Sequence, residues 1–145
     1  YTARFIELAS EVNSHMPEHV VNKVMAALND ERKAINGSRI LVLGVAYKRD
    51  VGDVRESPAL DVIHLLRERG AEVTFHDPYV STVLLDGQPL TSSELSEEVL
   101  STADCVIVVT DHSNYRWEWV ASHARLIVDT RNALVQTGKA RVVRL

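Results

Sequence analysis

The feature that most constrains the fold is a regular alternation of short apolar runs and amphipathic stretches after residue 37. Runs of Val, Ile and Leu without polar alternation are typical of strands buried on both faces, and the residues between them follow helical spacing. Strand and helix in alternation predict an α/β fold with a mostly parallel sheet and right-handed crossovers. The predicted strands are 39–44, 71–78, 104–110 and 125–130, with a possible fifth at 141–145.

Strong capping signals mark the first helix of this alternation. Ser57 can cap a helix, and Pro58 suits its first turn, where no backbone N–H is needed. Gly70 follows the last apolar residue of the pattern and is a typical helix end. Two more helices are predicted over 92–103 and 115–124, and residues 80–89 are predicted to be a loop with a possible short strand or turn at Asp86-Gly87.

The first 36 residues carry a separate helical pattern. Apolar residues recur at helical spacing on both sides of Pro17, although proline is poorly tolerated inside a helix. We therefore predict two consecutive helices or one kinked helix, and we assign 1–36 as a helical segment and 37–145 as the sheet domain. The apolar stripe needs a partner, either the following domain or another copy of the chain. It comprises Phe5, Leu8, Ala9, Val12 and Met16, then Val20, Val21, Val24, Met25 and Leu28, with His15 to Pro17 as the joint.

Composition narrows the classes of protein to which the chain can belong. A formal net charge of −4 gives no general attraction to nucleic acid or to an anionic membrane. Cys105 is the only cysteine, so no intrachain disulfide can form and a reducing, cytoplasmic location is expected. No apolar run approaches the roughly 18 residues that a bilayer span requires. The chain begins without methionine, within the helical pattern, and we expect it to be a piece of a longer protein.

Residues 44–57 follow the first predicted strand, at the edge where parallel sheets bind ligands. A dinucleotide fingerprint would need glycine where Ala46 and Arg49 stand, and no Walker-type Gly-Lys-Ser/Thr occurs. The segment instead offers cations beside a helix start, which can meet a phosphate. In the competing interpretation the acids of the segment only pair with its cations, and charge alone favours that interpretation. The cations are Lys48, Arg49 and Arg55, and the acids are Asp50, Asp53 and Glu56.

Further polar residues are predicted at the same edge. Arg131 follows a buried strand and could contact phosphate bidentately or pair with Asp129 or Asp77. Asp77 ends the second strand like the acid that binds ribose in dinucleotide folds, but the proline after it makes a turn role an equal alternative. Asp111 and His112 are weak evidence for acid–base chemistry, because such a pair is more often a loop hydrogen bond.

Other reactive residue types are assigned to packing. Cys105 lies inside an apolar run, which indicates a core residue and not a nucleophile. His15 and His19 have ligand spacing but no third partner, so no metal site is predicted. No Gly-x-Ser-x-Gly motif of a serine hydrolase occurs. Trp117 and Trp119 alternate in a helical stretch, and we expect one to pack and the other to be partly exposed.

The run GVAYKRDVGDVRESPALDVIHLLRERGAEVTFHDPYV, which begins at Gly44, resembles the C-terminal, UDP-binding domain of the UDP-glucose/GDP-mannose dehydrogenase family. It is most similar to the branch that acts on UDP-N-acetylglucosamine or UDP-N-acetylmannosamine. The segments ARFIELASEVNSHMPEHVV, ADCVIVVTDHSNY and IVDTRNAL extend the resemblance to nearly the whole chain. The resemblance implies a Rossmann-like three-layer sandwich, preceded by helices from the family's central helical region.

The resemblance also implies roles for individual residues. Lys48 would contact the diphosphate or the sugar of a UDP-sugar, and Tyr47 and Arg131 would line the nucleotide pocket. Arg55, together with Glu56, would order the loop at this site. The expected substrate-binding residues are therefore Tyr47, Lys48, Arg131 and Arg55, and no catalytic, cofactor-binding or metal-binding residue is expected in this chain.

Enzymes of this family, as the resemblance implies, oxidise the primary alcohol of the sugar to a carboxylate, with two NAD and a cysteine thiolate that carries the intermediate. Neither a glycine fingerprint for NAD nor the Gly-Gly-x-Cys motif of the nucleophile occurs in this sequence. We therefore expect a substrate-binding domain that is inactive alone. Its expected partners are the UDP-sugar, the N-terminal and central domains that bind NAD and react, and further copies joined through the N-terminal helices.

Two other classes of protein remain open. A non-enzymatic Rossmann-like module that dimerises through its first 36 residues would also explain the apolar stripe there. A signalling receiver domain would explain an acid at position 77 after a parallel strand, but the acidic pair and the threonine–lysine arrangement of that class are not evident.

Overall fold

The computed structural model describes residues 2–55, 57–134 and 138–145, with the backbone alone for residues 2–15. None of the helices in these ranges has the length and apolar character needed to cross a membrane. The helices are α1 (Thr2–Asp30), α2 (Pro58–Glu68), α3 (Glu97–Thr102) and α4 (Trp117–His123). The strands are β1 (Arg39–Leu43), β2 (Glu72–His76), β3 (Thr82–Leu85), β4 (Gln88–Thr91), β5 (Cys105–Val108), β6 (Leu126–Asp129) and β7 (Arg141–Arg144).

Five of the strands form one parallel sheet in the order β2-β1-β5-β6-β7. β1 pairs with β2 on one side and with β5 on the other, so Ile40 lies opposite both Val73 and Cys105. The strand order reverses between β1 and β5, which is where sheets of this kind bind ligands. The possible fifth strand of the sequence pattern is confirmed, because β7 pairs in parallel with β6.

The central strands are buried on both faces, which explains their continuous apolar sequence. In β1, Ile40 and Val42 belong to the core under α1 and α2. Leu41 and Leu43 belong to a second core under α3 and α4. Burial of each such side chain contributes about 1.5–3 kcal/mol. A sheet with helices on both faces confirms the predicted α/β, Rossmann-like three-layer sandwich.

α1 is one helix of 29 residues that includes Pro17, so the interpretation as two consecutive helices is wrong. Pro17 is buried within the helix, where it cannot donate a backbone hydrogen bond. In the second half of the predicted stripe, Val20, Val21, Val24 and Leu28 pack in the core with α2 and the sheet. The prediction is wrong for Met25, which is exposed, and Met16 is exposed as well. The first half, Phe5 to Val12, and also His15 lie outside the residues whose side chains are described. The packed residues of α1 are Val20, Val21, Val24, Ala27 and Leu28.

Ion pairs fasten the end of α1 to the amino edge of the sheet. Arg141 of β7 places Nη2 at 2.9 Å from Asp30 Oδ2 and Nη1 at 3.5 Å from Glu31 Oε2. Lys33 Nζ lies 3.0 Å from Oδ1 of Asp104, which directly precedes β5. Each partly exposed pair is worth only about 0.2–1 kcal/mol, but together they fix the direction in which α1 leaves the sheet.

The capping signals of α2 are confirmed. Ser57 is the N-cap, its Oγ accepts a hydrogen bond from the Ala59 N–H at 3.2 Å, and Pro58 is the first helical residue. Gly70 follows the C-cap residue with a φ of 89°, a conformation that glycine adopts at little cost.

The predicted loop over 80–89 is wrong, because residues 82–91 form a hairpin. The possible short strand or turn at Asp86-Gly87 is a turn between two strands. β3 and β4 are antiparallel, and Asp86 (φ 51°) and Gly87 (φ 77°) connect them. Positive φ at both central residues suits the twist of a tight hairpin. Val83 and Leu85 pack in the core on the α2 face, whereas Leu84 between them is 70% exposed.

α3 is shorter than the predicted helix over 92–103. The first residues of the predicted range form hydrogen bonds at the end of β2 and are not helical. The Ser93 N–H donates to the Phe75 carbonyl at 2.7 Å, and the Asp77 N–H donates to Ser92 Oγ at 3.1 Å. The helix begins only after Ser96, whose side chain caps it. Local propensity predicted a longer helix, but hydrogen bonding to the sheet edge takes these residues.

Two predictions about packing have different outcomes. Cys105 is fully buried in the sheet, as predicted. The expectation that only one tryptophan packs is wrong: Trp117 and Trp119 are both half-buried against the core under α3 and α4. Trp117 packs against Tyr115 near the start of α4, with ring centroids 5.0 Å apart and the rings tilted by 47°. Neither indole is fully exposed.

Candidate functional site

The carboxyl ends of β1, β2, β5 and β6 meet at one edge of the sheet. The segment from Gly44 to Ser57, here called the β1–α2 loop, carries Tyr47, Lys48 and Arg55. Arg131 follows β6, which is separated from β1 by β5. Neighbouring strands lie about 4.8 Å apart, so Arg131 and the loop share an edge without being adjacent.

Asp77 organises the start of the β1–α2 loop from inside. Its Oδ2 accepts hydrogen bonds from the N–H groups of Val45 at 2.8 Å and Ala46 at 3.1 Å. Its Oδ1 accepts the Tyr79 N–H at 2.8 Å, and Asp77 is almost fully buried. In dinucleotide folds the amides of this turn face the pyrophosphate. Here a carboxylate of the protein already takes them, so Asp77 has the turn role and not the ribose role.

His112 is fully buried and joins the segment after β5 to the β1–α2 loop and to the end of β2. Its Nδ1 is 2.9 Å from the Asp50 N–H, and its Nε2 is 2.9 Å from Asp77 Oδ2. A backbone N–H can only donate, so Nδ1 is the acceptor and the ring proton is on Nε2, which donates to Asp77. The sequence suggested a local Asp111–His112 pair, and it missed these two partners.

Asp50 holds the middle of the β1–α2 loop in an unusual backbone conformation. Its φ is 63°, in the left-handed region that residues with a side chain seldom adopt. Its carboxylate accepts the Ser113 N–H at 2.8 Å and the Ser113 hydroxyl at 2.5 Å. These hydrogen bonds lower the pKa of Asp50. Both the N–H and the carboxylate of Asp50 are thus hydrogen-bonded to the segment after β5, at His112 and Ser113.

Two of the three loop cations are paired with acids, but only the Arg55–Asp53 pair lies within the loop, as the competing interpretation of the charges predicted. Arg49 Nη2 lies 2.5 Å from Asp111 Oδ2. Arg55 Nη2 donates to Asp53 at 2.8 Å and its Nε donates to the same carboxylate at 3.1 Å. The arginine side chain lowers the pKa of Asp53 to about 2. Glu56, the third predicted acid, lies outside the described residues.

Lys48 differs from the two arginines. Its side chain is exposed, and its Nζ lies 5.7 Å from the centroid of the Tyr47 ring, which is itself 41% exposed. Within the described ranges no carboxylate forms an ion pair with Lys48. The loop therefore presents an ammonium group and an aromatic ring to the solvent, side by side.

The guanidinium of Arg131 is held by a backbone carbonyl, whereas its backbone N–H is held by an acid side chain. Its Nε donates to the Val109 carbonyl at 2.8 Å, and its backbone N–H donates to Asp129 Oδ1 at 3.0 Å. Neither predicted salt bridge, to Asp129 or to Asp77, is among the contacts of the described residues. The guanidinium borders a cleft of about 260 Å³. The other residues of this cleft are Met16, Val20, Pro58, Val62, Val109 and Thr130.

A smaller cleft of about 130 Å³ lies on the α3–α4 side of the same edge. The Tyr115 hydroxyl donates to the His76 carbonyl at 2.8 Å and lies 3.0 Å from His76 Nδ1. Burial lowers the pKa of His76 and raises that of Tyr115. Arg116 lies over the ring of Trp119 at 5.3 Å. These contacts give an aromatic wall, but none of them orients a reactive group.

The described residues offer no obvious centre for bond chemistry. Burial raises the pKa of the Cys105 thiol, so this cysteine stays protonated and is shielded from any substrate. No group of three His, Cys, Asp or Glu side chains in the described ranges could hold a metal ion. What this edge can do chemically is bind an anion with side-chain cations.

Comparison with known proteins gives one consistent result. Residues 41–136 match the family described as UDP-glucose/GDP-mannose dehydrogenase family, UDP binding domain. A UDP-N-acetyl-D-mannosamine dehydrogenase of Methanococcus maripaludis is 38% identical over 114 residues, which are 79% of this chain and 25% of that protein.

Solved structures agree with the sequence comparison. The UDP-D-ManNAc dehydrogenase of Pyrococcus horikoshii matches with a TM-score of 0.79 and 28% identity, over 96% of this chain and 32% of that one. An NDP-N-acetyl-D-galactosaminuronic acid dehydrogenase of Methanosarcina mazei matches with a TM-score of 0.73 and 34% identity, over 88% and 27% of the two chains. The chain thus spans about a quarter to a third of the length of these relatives.

Proposed function

Because the chain belongs to the UDP-glucose/GDP-mannose dehydrogenase family, as its UDP-binding domain, we propose that the β1–α2 loop and Arg131 hold the UDP part of a nucleotide sugar. The observation that carries this proposal is the contrast between the loop cations: Arg49 and Arg55 are paired with acids, and Lys48 is exposed. A cation that forms no ion pair with the described acids, beside the ligand edge of a parallel sheet, suits an anionic ligand.

Each predicted residue has a distinct part in this proposal. Lys48 contacts the diphosphate as a point charge, and the ring of Tyr47 packs against the nucleotide. The Nε of Arg131 donates to the Val109 carbonyl, and its Nη groups contact the ligand. A guanidinium can contact a phosphate with two parallel hydrogen bonds. Arg55 orders the loop through Asp53 and does not touch the ligand.

The same edge does not fit NAD. The amides of Val45 and Ala46 are engaged by Asp77, and the loop lacks the glycines that allow a pyrophosphate close to the backbone. In the proposal, other domains of a longer protein bind NAD and supply the cysteine nucleophile. That protein oxidises the primary alcohol of a UDP-sugar to a carboxylate with NAD, and the present chain alone is inactive.

The organisation of the chain is part of the same proposal. Residues 37–145 bind the UDP-sugar, and residues 1–36 connect this domain to the rest of the protein and join copies of it. The single buried cysteine suits a reducing compartment, so we place the protein in the cytoplasm.

Titration calorimetry with UDP, uridine and NAD tests the proposed function. The 145-residue chain should bind UDP with a Kd of about 1 mM or lower and more tightly than uridine, because only UDP carries the diphosphate. NAD should not bind detectably. Lys48→Ala should weaken UDP binding about tenfold or more and leave uridine binding nearly unchanged, since a hydrogen bond to a charged group is worth about 1.5–3 kcal/mol.

The control for Lys48→Ala is Lys139→Ala, which removes another exposed lysine. Lys139 precedes β7 at the amino edge of the sheet, away from the proposed site, so UDP binding should not change. No binding of UDP to the wild type at about 1 mM would count against the function. Equal losses of UDP and uridine in Lys48→Ala would mean that Lys48 does not contact the diphosphate.

A further inference from the structure

We propose that His112 is a positioning residue that holds the β1–α2 loop in the conformation in which Lys48 meets the ligand. The inference rests on the proposed function and adds to it a residue that does not touch the substrate. Its basis is the set of contacts that the buried imidazole makes with the middle of the β1–α2 loop, at Asp50, and with the end of β2, at Asp77.

Both ring nitrogens of His112 are used, and they have different tasks. Nε2 donates to Asp77, the carboxylate that also holds the N–H groups of Val45 and Ala46. Nδ1 accepts the N–H of Asp50. One end of the imidazole is thus bonded to the anchor of the loop's first turn, and the other end to the middle of the loop.

The imidazole cannot easily turn away from these partners. It is fully buried, and the ring of Tyr79 lies over it with centroids 4.8 Å apart. Tyr115 lies at 6.0 Å on the same measure. A ring that is packed by neighbours and hydrogen-bonded through both nitrogens keeps one tautomer and one orientation.

Asp50 is the point at which the loop most needs a fixed partner. Its φ of 63° lies in the left-handed region, which aspartate tolerates better than most residues but adopts less readily than glycine, so contacts that hold it there add to its stability. His112 holds its N–H, and Ser113, the next residue in the chain, holds its carboxylate. Lys48 is two residues before Asp50, so the backbone that aims its ammonium group depends on these contacts.

The consequence for binding is a change in the population of competent loops. If the Asp50 N–H loses its acceptor, the loop samples other conformations, and the apparent Kd rises by the inverse of the competent fraction. The loss should fall on ligands that reach Lys48. UDP should therefore be affected more than uridine, which a general loss of folding would not produce.

Two substitutions separate the two ends of the imidazole. The side-chain amide of asparagine lies near the position of Nδ1, and its oxygen can accept the Asp50 N–H. The amide of glutamine reaches the position of Nε2 and can donate to Asp77. His112→Asn thus keeps the bond to the loop, and His112→Gln keeps only the bond to Asp77.

UDP and uridine titrations of the 145-residue chain, with amide hydrogen exchange at Asp50, test the proposal. His112→Gln should weaken UDP binding about tenfold or more and uridine binding by less than about twofold. It should also speed hydrogen exchange of the Asp50 amide. His112→Asn should keep UDP affinity within about threefold of the wild type. UDP affinities that are equal in the two variants, or equal losses of UDP and uridine in His112→Gln, overturn it.

Ser113→Ala keeps the test decisive if His112→Gln does not fold. It removes the hydroxyl from Asp50 and leaves the backbone bond, so UDP binding should weaken about two- to fivefold, and no change overturns the proposal. A wild type that does not bind UDP sinks the proposed function, and the positioning role with it. Unchanged Asp50 exchange in His112→Gln, with UDP binding intact in the wild type, refutes the positioning role alone.

Discussion

At the turn after β1, the carboxylate of Asp77 accepts the two N–H groups that would otherwise face a phosphate. A buried carboxylate needs such donors, because desolvation without them is costly. The result is a turn whose backbone is already satisfied. Ligand binding at this edge therefore falls to side chains, and single substitutions should change affinity more than they would in a site made of backbone amides.

Gly44 allows a prediction about this turn. It has a φ of 86°, and a Cβ there would lie 2.5 Å from Thr110 Cβ and from the Thr110 carbonyl oxygen. Gly44→Ala should therefore lower the free energy of unfolding by roughly 2–4 kcal/mol, from backbone strain and the clash together. Urea denaturation measures this value.

Gly37→Ala is the matched control, because Gly37 has a φ of 83° but no atom within 4 Å of the added Cβ. In this variant the free energy of unfolding should fall only by the cost of the backbone conformation, about 1 kcal/mol. Losses of equal size would show that Thr110 yields to the added methyl group and that the close approach is unimportant.

The sequence could predict the cations at this edge but not their partners. The motif and the end of the apolar run placed Tyr47, Lys48, Arg55 and Arg131 near the carboxyl edge, and their contact with a ligand stays a prediction. His112 was seen only as a loop residue, because its partners are 35 and 62 positions away in the chain. Spacing along the chain does not reveal such contacts. A polar residue within a few positions of the end of a buried strand is the signal that could have found them.

At the level of elements, the regular strands and helices were the most predictable. Both cores accept alternate residues of the same strand, so β1, β5 and β6 have continuous apolar runs that are easy to recognise. Residues 80–96 were not predictable in the same way. Their hydrogen bonds go to β2 and within the β3–β4 hairpin, so sheet pairing overrides a local pattern that suggests a loop followed by a longer helix.

The hairpin is tied to α2 by a contact that should depend on pH. His64 Nδ1 lies 2.8 Å from Asp86 Oδ2, and its Nε2 lies 3.0 Å from Glu68 Oε1. The hydrogen bond and charge of Asp86 raise the pKa of His64 above its ordinary value of about 6.5. The added stability is therefore fully present below about pH 6.5 and is lost as pH rises through the folded-state pKa.

Titration of His64 by NMR measures this coupling. Asp86→Asn should lower the pKa of His64 and reduce the loss of stability between about pH 6 and pH 8. Asparagine tolerates the positive φ of this turn position, which isolates the charge. Glu68→Gln, which removes the weaker partner, should lower the pKa less. A larger effect from Glu68→Gln than from Asp86→Asn would contradict this assignment.

At the level of the whole molecule, α1 divides into two parts. Residues from Val20 onward pack into the core, and the sequence places Phe5, Leu8 and Val12 on one stripe of the earlier turns. An apolar stripe of this kind is expected to bury itself against another chain. We therefore expect the 145-residue chain to self-associate.

Analytical ultracentrifugation tests this expectation. The wild type should sediment as a dimer or larger species, and Leu8→Glu should shift it toward the monomer, because a charge in an apolar contact is costly. Ser10→Glu adds the same charge off the stripe and should leave association unchanged. A monomeric wild type, or equal shifts by the two variants, would be incompatible with this use of the stripe.

The ion pairs of Arg141 with Asp30 and Glu31, and of Lys33 with Asp104, have a mechanical consequence. α1 is packed into the core from Val20 onward, and ion pairs hold its carboxyl end to the sheet, so it is connected to the sheet at both places. A force on its first turns is transmitted to the entire sheet and is not absorbed at the junction. We therefore expect a movement of the first turns of α1 to move the sheet, and with it Lys48 and Arg131.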